Sequence, residues 1–340
     1  MTTTHLPGTA RTAASTTHDP ATFEVLARQA SAIEANVGKV ISGKDDVIHL
    51  AVTTFLAGGH LLIEDVPGVG KTMLARAMAT SVGASVRRIQ FTSDLLPSDV
   101  TGAPVFNQAA GTFQFEPGPI FANIVIGDEI NRASPRTQSA LLEAMEEGQV
   151  SVDGVSYSLD DPFHVVATQN PIDMDGTYAL LEAQRDRFMT RLAIGYPEQQ
   201  AEKAMVQARE RIDPITTISS VVTLSQVKSM IKTCQQVFVA DPLASYVVAL
   251  IRATRQHQAL KLGASPRAAI HLLAAAKAFA ALAGRSFVLP DDVQALAAPV
   301  LAHRLMALAP ARGVEAAAQG RQIVREVVAS VPVPVPLRAD

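Results

Sequence analysis

The stretch Leu61-Leu-Ile63-Glu64-Asp65-Val-Pro67-Gly68-Val69-Gly70-Lys71-Thr72-Met73-Leu-Ala-Arg-Ala-Met78 decides the fold. An apolar run turns through a glycine-rich loop directly into a helical pattern. Such a turn aims several backbone N–H groups at one spot, with the positive end of the helix dipole behind them. It is a phosphate cradle. Pro67, Gly68, Val69, Gly70, Lys71, Thr72 and Met73 form it, Lys71 reaching the outer phosphates of a nucleoside triphosphate and the Thr72 hydroxyl ligating magnesium. The strict pattern has glycine six residues before its lysine, where this chain has Asp65, so the reading rests on context: a strand before and a helix after.

A second element fits the first. Phe121-Ala-Asn-Ile-Val-Ile-Gly-Asp128-Glu129 reads as an apolar strand ending in two adjacent carboxylates. Neighbouring strand residues point to opposite faces, so the two carboxylates divide the work. Asp128 is expected to hold magnesium beside Thr72, and Glu129 to polarise the water that attacks the γ-phosphate. Together the two elements point to hydrolysis of a nucleoside triphosphate.

The chain has 340 residues, 48% apolar, with a net charge of −3 and one cysteine. This is the composition of a globular protein with a large core or two smaller ones. Met1 to Pro20, rich in Thr and Ala and without an apolar block, reads as a disordered tail rather than a signal peptide. Cys234 alone excludes an intrachain disulfide framework and a Cys-rich zinc site, which together with the tail gives a cytoplasmic expectation. The most apolar stretch, Ala268 to Gly284, is interrupted by His271 and Lys277 and reads as a buried helix, not a membrane span. Residues 1 to 195 carry 13 Lys+Arg against 22 Asp+Glu, and residues 196 to 340 carry 16 against 10. No dense basic tract argues for nucleic acid.

From Phe23 to Tyr196, strand-like runs at Leu61 to Ile63, Val86 to Phe91, Ile124 to Ile126 and Phe163 to Thr168 alternate with helical patterns. That predicts an α/β domain over 21–196 with a mainly parallel sheet, and a ligand site at the carboxyl ends of its strands. The loop, the Asp128-Glu129 pair and Thr168-Gln-Asn170 all fall there. Beyond residue 197 the pattern is helical, around Gln200 to Ile212, Leu224 to Cys234, Pro242 to Gln256, Pro266 to Ala283 and Asp291 to Leu308, which predicts a smaller all-α domain over 197–340. Ser265-Pro266 marks a helix start that puts Arg267 in a first turn, from which it could swing toward bound phosphates. Thr101 to Pro119 reads as a hairpin or irregular loop, and Gly148 to Ser158, around Asp153-Gly154, as a short hairpin; both either face a pore or partner or are passive surface features.

These residues resemble the MoxR-type AAA+ ATPases. The resemblance is carried by residues 64–72, by Arg88-Ile-Gln-Phe-Thr-Ser-Asp-Leu-Leu-Pro-Ser-Asp-Val-Thr-Gly102 and by Gly118-Pro-Ile-Phe-Ala-Asn123. It continues through residues 128–145, Ala167-Thr-Gln-Asn-Pro171, Glu182-Ala-Gln-Arg-Asp-Arg-Phe188 and Gly263-Ala-Ser-Pro-Arg267. It implies a AAA+ P-loop core with a helical lid, using ATP and Mg2+ and assembled as a hexameric ring with each nucleotide between neighbours. It further implies that Asn170 orients the attacking water, that Arg187 is the finger offered to the next subunit, and that Arg267 is the lid sensor. Arg191 and Arg185 are rivals of Arg187. Val40-Ile-Ser42-Gly43-Lys44 is expected to frame the adenine, with Gly43 among the contacts. Proteins similar to this one act as chaperone-like factors on protein clients, often with a von Willebrand factor A domain partner. Two alternatives stand below that reading: a nucleotide-dependent DNA motor, and an ATP-binding assembly switch with little turnover.

Overall fold

The structure is a computed structural model. It describes residues 20–171, 178–199, 202–203, 213–309, 311 and 314–334. The tail expected over Met1 to Pro20, except for Pro20, which opens a helix, and most of the helix expected from Gln200 to Ile212 lie outside these residues.

Helices α1 (Pro20–Gly38) and α2 (Asp45–Leu56) precede strand β1 (Leu61–Glu64), which leads through the glycine loop into α3 (Lys71–Ser81). There follow β2 (Val86–Gln90), α4 (Pro97–Thr101), the hairpin β3 (Gly102–Asn107) and β4 (Thr112–Pro117), and β5 (Ile124–Asp128). Next come α5 (Pro135–Glu147), the hairpin β6 (Gln149–Val152) and β7 (Val155–Ser158), β8 (His164–Gln169), α6 (Glu182–Arg185) and β9 (Thr190–Leu192). Strands β1, β2, β5, β8 and β9 form one sheet in the order β2-β5-β8-β1-β9, every pair parallel. Strand β9 had no counterpart in the sequence reading, because three residues are too few to display an alternation.

Alternation along the strands sorts their side chains into two cores. Leu61, Ile63, Ile124, Ile126 and Val166 face one side, with α1, α2 and α3; Leu62, Ile89, Val125, Val165 and Ala167 face the other, with α5. By the same parity Arg88, Gln90, Asp128 and Thr168 belong to the α3 side. That places them beside the helix that opens at Lys71.

Both expected hairpins form, and they touch: Phe115 of β4 stacks on Tyr157 of β7 with ring centroids 4.0 Å apart. Val105, Phe106 and Phe113 remain exposed on the first.

The remainder is mainly helical: α7 (Leu224–Gln235), α8 (Asp241–Gln256), α9 (Pro266–Leu282), α10 (Pro290–Leu301) and α11 (Val314–Ser330), with a short pair β10 (Leu260–Leu262) and β11 (Met306–Ala307) between α8 and α11. The helix expected from Asp291 to Leu308 ends at Leu301. Pro299 offers no N–H to the last turn, and the chain passes through a 3-10 turn at Ala302–Arg304 into β11. The core on the α3 side runs on without interruption into α7, α8, α9 and α10. Among the described residues no helix is long and apolar enough to cross a membrane.

Candidate functional site

The cradle opens at the carboxyl end of β1. Gly68 and Gly70 take φ of +84° and +94°, values that a side chain resists, and Gly70 caps α3 in the left-handed region. Lys71 folds back over the loop and donates to the carbonyls of Asp65 at 2.6 Å and Gln169 at 3.2 Å. Burial lowers its pKa, against the opposing pull of Asp65, Asp128 and Glu129. Asp65 itself explains the departure from the strict pattern. Its carboxylate accepts from the N–H of Val66 at 2.8 Å and of Gly195 at 2.6 Å, tying the start of the loop to the segment after β9.

Beside the cradle lies a cleft of about 170 Å³ whose walls include Val40, Ile41, Ser42, Met73, Ile194 and Pro214, with Gly68, Val69 and Gly70 on its phosphate side. Gly43, at φ +71°, turns the chain between two lining residues without lining the cleft itself.

Asp128 ends β5 on the α3 face. Its Oδ2 accepts from Thr72 Oγ1 at 3.1 Å and from Arg88 Nε at 2.7 Å, and its Oδ1 from Thr168 Oγ1 at 2.8 Å. Glu129 diverges from Asp128 for a reason other than strand alternation. It has already left the strand, at φ +56° and ψ +49°, a conformation costing a non-glycine residue on the order of 1 kcal/mol. The Thr168 hydroxyl accepts its N–H at 3.0 Å, while its carboxylate meets Arg132 at 2.9 Å and Gln90 at 3.4 Å. Asn170 follows β8 directly and lines, with Glu64 and Arg191, a neighbouring cavity of about 300 Å³.

Sequence reading passed over Arg88, Gln90 and Arg132. The first two sit two apart on β2, and the register that sets Gln90 opposite Asp128 joins them to the site.

Arg187 and Arg267 do not join this constellation. Arg187 meets Glu146 at 3.0 Å, Arg267 meets the same carboxylate, and Asp186 lies 3.9 Å from Arg267. This second cluster is at the amino ends of the strands: Met145, next to Glu146, accepts from His60, the residue before β1, and Met189 donates to the carbonyl of His60. A strand's length, on the order of 15 Å, separates it from the cradle. Arg267, expected to swing from its helix start toward bound phosphates, is held at the opposite end of the sheet from its own chain's cradle. Of the rivals, Arg191 pairs with Glu64 at 2.8 Å, and Arg185 lies 3.9 Å from Glu182.

A glycine cradle, a strand-end carboxylate pair and a helical extension on a parallel sheet define a P-loop ATPase core with its lid. Residues 60–190 match the ATPase family associated with various cellular activities (AAA), and residues 252–327 the AAA lid domain. The chain is 49% identical over 302 residues to the protein YeaC of Bacillus subtilis, covering 88% of this chain and 93% of that one. It is 38% identical to the chaperone MoxR1 of Mycobacterium tuberculosis over 84% of this chain and 79% of the relative. A solved structure from Cytophaga hutchinsonii, assigned as an ATPase, superposes with a TM-score of 0.83 at 34% identity, covering 93% of this chain and 98% of that one. The chain belongs to the MoxR-type AAA+ ATPases.

Proposed function

We propose that the protein hydrolyses ATP with Mg2+ and uses the cycle to remodel or mature protein clients in the cytoplasm, working as a ring, expected to be hexameric, with each nucleotide shared by two subunits. One observation carries the reading: the residues that would bind and cleave the nucleotide converge at the carboxyl ends of the strands, while Arg187 and Arg267 are held at the amino ends. An arginine that cannot serve its own chain's phosphates is free to serve a neighbour's.

The residues fit the cofactors. Gly68 leaves open space where a Cβ would stand, Lys71 bonds two backbone carbonyls that a phosphate could replace, and a hydroxyl and a carboxylate already meet at Thr72 and Asp128. Thr72 and Asp128 would hold magnesium, which when bound neutralises phosphate charge. Lys71 would bind the outer phosphates, and the cleft beside Val40, Ile41 and Met73 the adenine. Glu129 would take up the proton of the attacking water, released for that task by Gln90 and Arg132, and Asn170 would orient the water. In this reading the core spans 21–196 and the lid 197–340.

The client half of the proposal draws on the name of one relative, the chaperone MoxR1, and on the exposed aromatic pair Phe106 and Phe113, which suits a protein partner, a von Willebrand factor A domain among them. Gly148 to Ser158 carries no Lys or Arg, which disfavours a DNA motor.

Steady-state ATP hydrolysis against protein concentration tests the reading. Turnover per chain is expected to rise with concentration, and Glu129→Gln and Arg187→Ala to abolish it while ATP binding persists. Turnover independent of concentration, or unaffected in Arg187→Ala, would sink the shared site.

A further inference from the structure

Two guanidiniums, one of them at the start of a lid helix, meet on one carboxylate. Arg187 donates from Nε and Nη2 to Glu146 Oε2, both at 3.0 Å, and from Nη1 to the Ala183 carbonyl at 3.1 Å. Arg267 donates from Nη2 to the other oxygen, Oε1. The nearby Asp186 lies 3.9 Å from Arg267 but spends its hydrogen bonds on Ser265 at 2.9 Å and Arg304 at 2.7 Å.

Without Glu146 this arrangement is unfavourable twice over. The two cations repel, and Arg267 lies in the first turn of α9, where the positive end of the helix dipole disfavours a cation. Glu146 in turn lies in the last turn of α5, the end where a carboxylate is disfavoured. Its own helix gives no reason for it; the two arginines do. Each guanidinium has five N–H donors and keeps some beyond those spent on Glu146. The pair is thus held side by side with donors to spare.

We propose that Glu146 is a positioning residue: its two oxygens hold Arg187 and Arg267 together as a paired site for the terminal phosphate of a nucleotide bound to a second copy of this chain. The proposal rests on the reading that both arginines act between chains. Paired guanidiniums match the oxygens of a phosphoryl group, and their charge stabilises the transition state only when fixed in place. Loss of Glu146 therefore lowers turnover without weakening nucleotide binding on the same chain, whose cradle lies at the other end of the sheet.

The experiment measures ATP turnover for Glu146→Ala and Glu146→Asp alone, and for Glu146→Ala mixed before assembly with Lys71→Ala chains. Arg187→Ala mixed in the same way is the control, and affinity for a fluorescent ATP analogue is measured on each chain. Glu146→Ala is expected to lose about 10- to 100-fold in kcat, less than the ~1000-fold or more of a deleted finger. Its analogue affinity is expected to stay within about twofold of native, a change under 0.5 kcal/mol. Glu146→Asp recovers most of the loss. Mixing with Lys71→Ala restores turnover, because that chain brings intact arginines to the variant's nucleotide.

Three results overturn it in distinguishable ways. A silent Arg187→Ala mixture removes the between-chain reading, and the proposal with it. An active control mixture with native turnover in Glu146→Ala alone rejects the positioning role only. A slow Glu146→Ala whose mixture stays silent while the control recovers marks a defect of folding or lid docking, and also rejects it.

Discussion

Replacing Asp65 by glycine would restore the strict loop pattern and, on this structure, damage the protein. The carboxylate is buried and accepts two backbone N–H groups, from Val66 at 2.8 Å and from Gly195 at 2.6 Å. Hydrogen bonds to a charged acceptor contribute about 1.5–3 kcal/mol each, and the lower value suits groups only partly buried, so the pair amounts to about 3 kcal/mol. For a chain of this size that lowers Tm by roughly 4 °C. Function should suffer as well, because Gly195 walls the cleft beside the cradle and Lys71 bonds the Asp65 carbonyl. Loosening both is expected to weaken nucleotide affinity about tenfold, equivalent to 1.4 kcal/mol. Thermal unfolding and fluorescent-nucleotide titration of native, Asp65→Asn and Asp65→Gly chains make the comparison. Asn offers one acceptor oxygen and so serves one of the two N–H groups, giving an intermediate loss. Asp65→Gly with Tm within about 1 °C of native and unchanged affinity would refute the tether, leaving Asp65 a passive replacement for glycine.

Two more predictions concern the amino end of the sheet. Burial holds His60 down to about 4 and His164 and His271 to about 3, so the folded chain keeps all three neutral where the unfolded chain takes up protons near pH 6.5. The unfolded state binds more protons below that value, so their contribution is intact at pH 7 and falls by about 3–4 kcal/mol by pH 5.5; a urea midpoint that does not move between these pH values counts against neutral burial. Arg304 is buried and donates to Asp186, to the carbonyls of Val300 and Phe188, and to His271 Nδ1. Arg304→Met should cost about 3–5 kcal/mol, and adding Asp186→Leu should return part of it, since an uncompensated buried charge is worse than none; strictly additive losses in chemical unfolding would contradict the pairing.

The nucleotide cradle was legible because its chemistry is local. Glycines, lysine and threonine within a dozen residues specify a turn, a helix start and two ligand groups without reference to the rest of the chain. The parallel sheet was legible from apolar runs separated by helical patterns. Less visible were features set by register and by packing. Arg88 and Gln90 look like solvated charges and amides along a strand until β2 is laid against β5, which brings both to the Asp128 carboxylate and its neighbour. Glu146, Arg187 and Arg267 lie on α5, after α6 and on α9, and nothing in local spacing says that they share a pair of oxygens.

The division of labour between Asp128 and Glu129 shows how far pattern reasoning reaches. Alternation would send Glu129 through the sheet to the α5 side. Instead the strand ends one residue earlier, and Glu129 enters the left-handed region, its N–H bonded to the same Thr168 hydroxyl that donates to Asp128. One threonine on β8 thus holds the Asp128 carboxylate and the Glu129 backbone, while the two side chains separate. That explains how two adjacent acids on one strand end can be set to different tasks, one beside Thr72 and the other beside Gln90 and Arg132. It also places the backbone strain at the residue proposed to activate water.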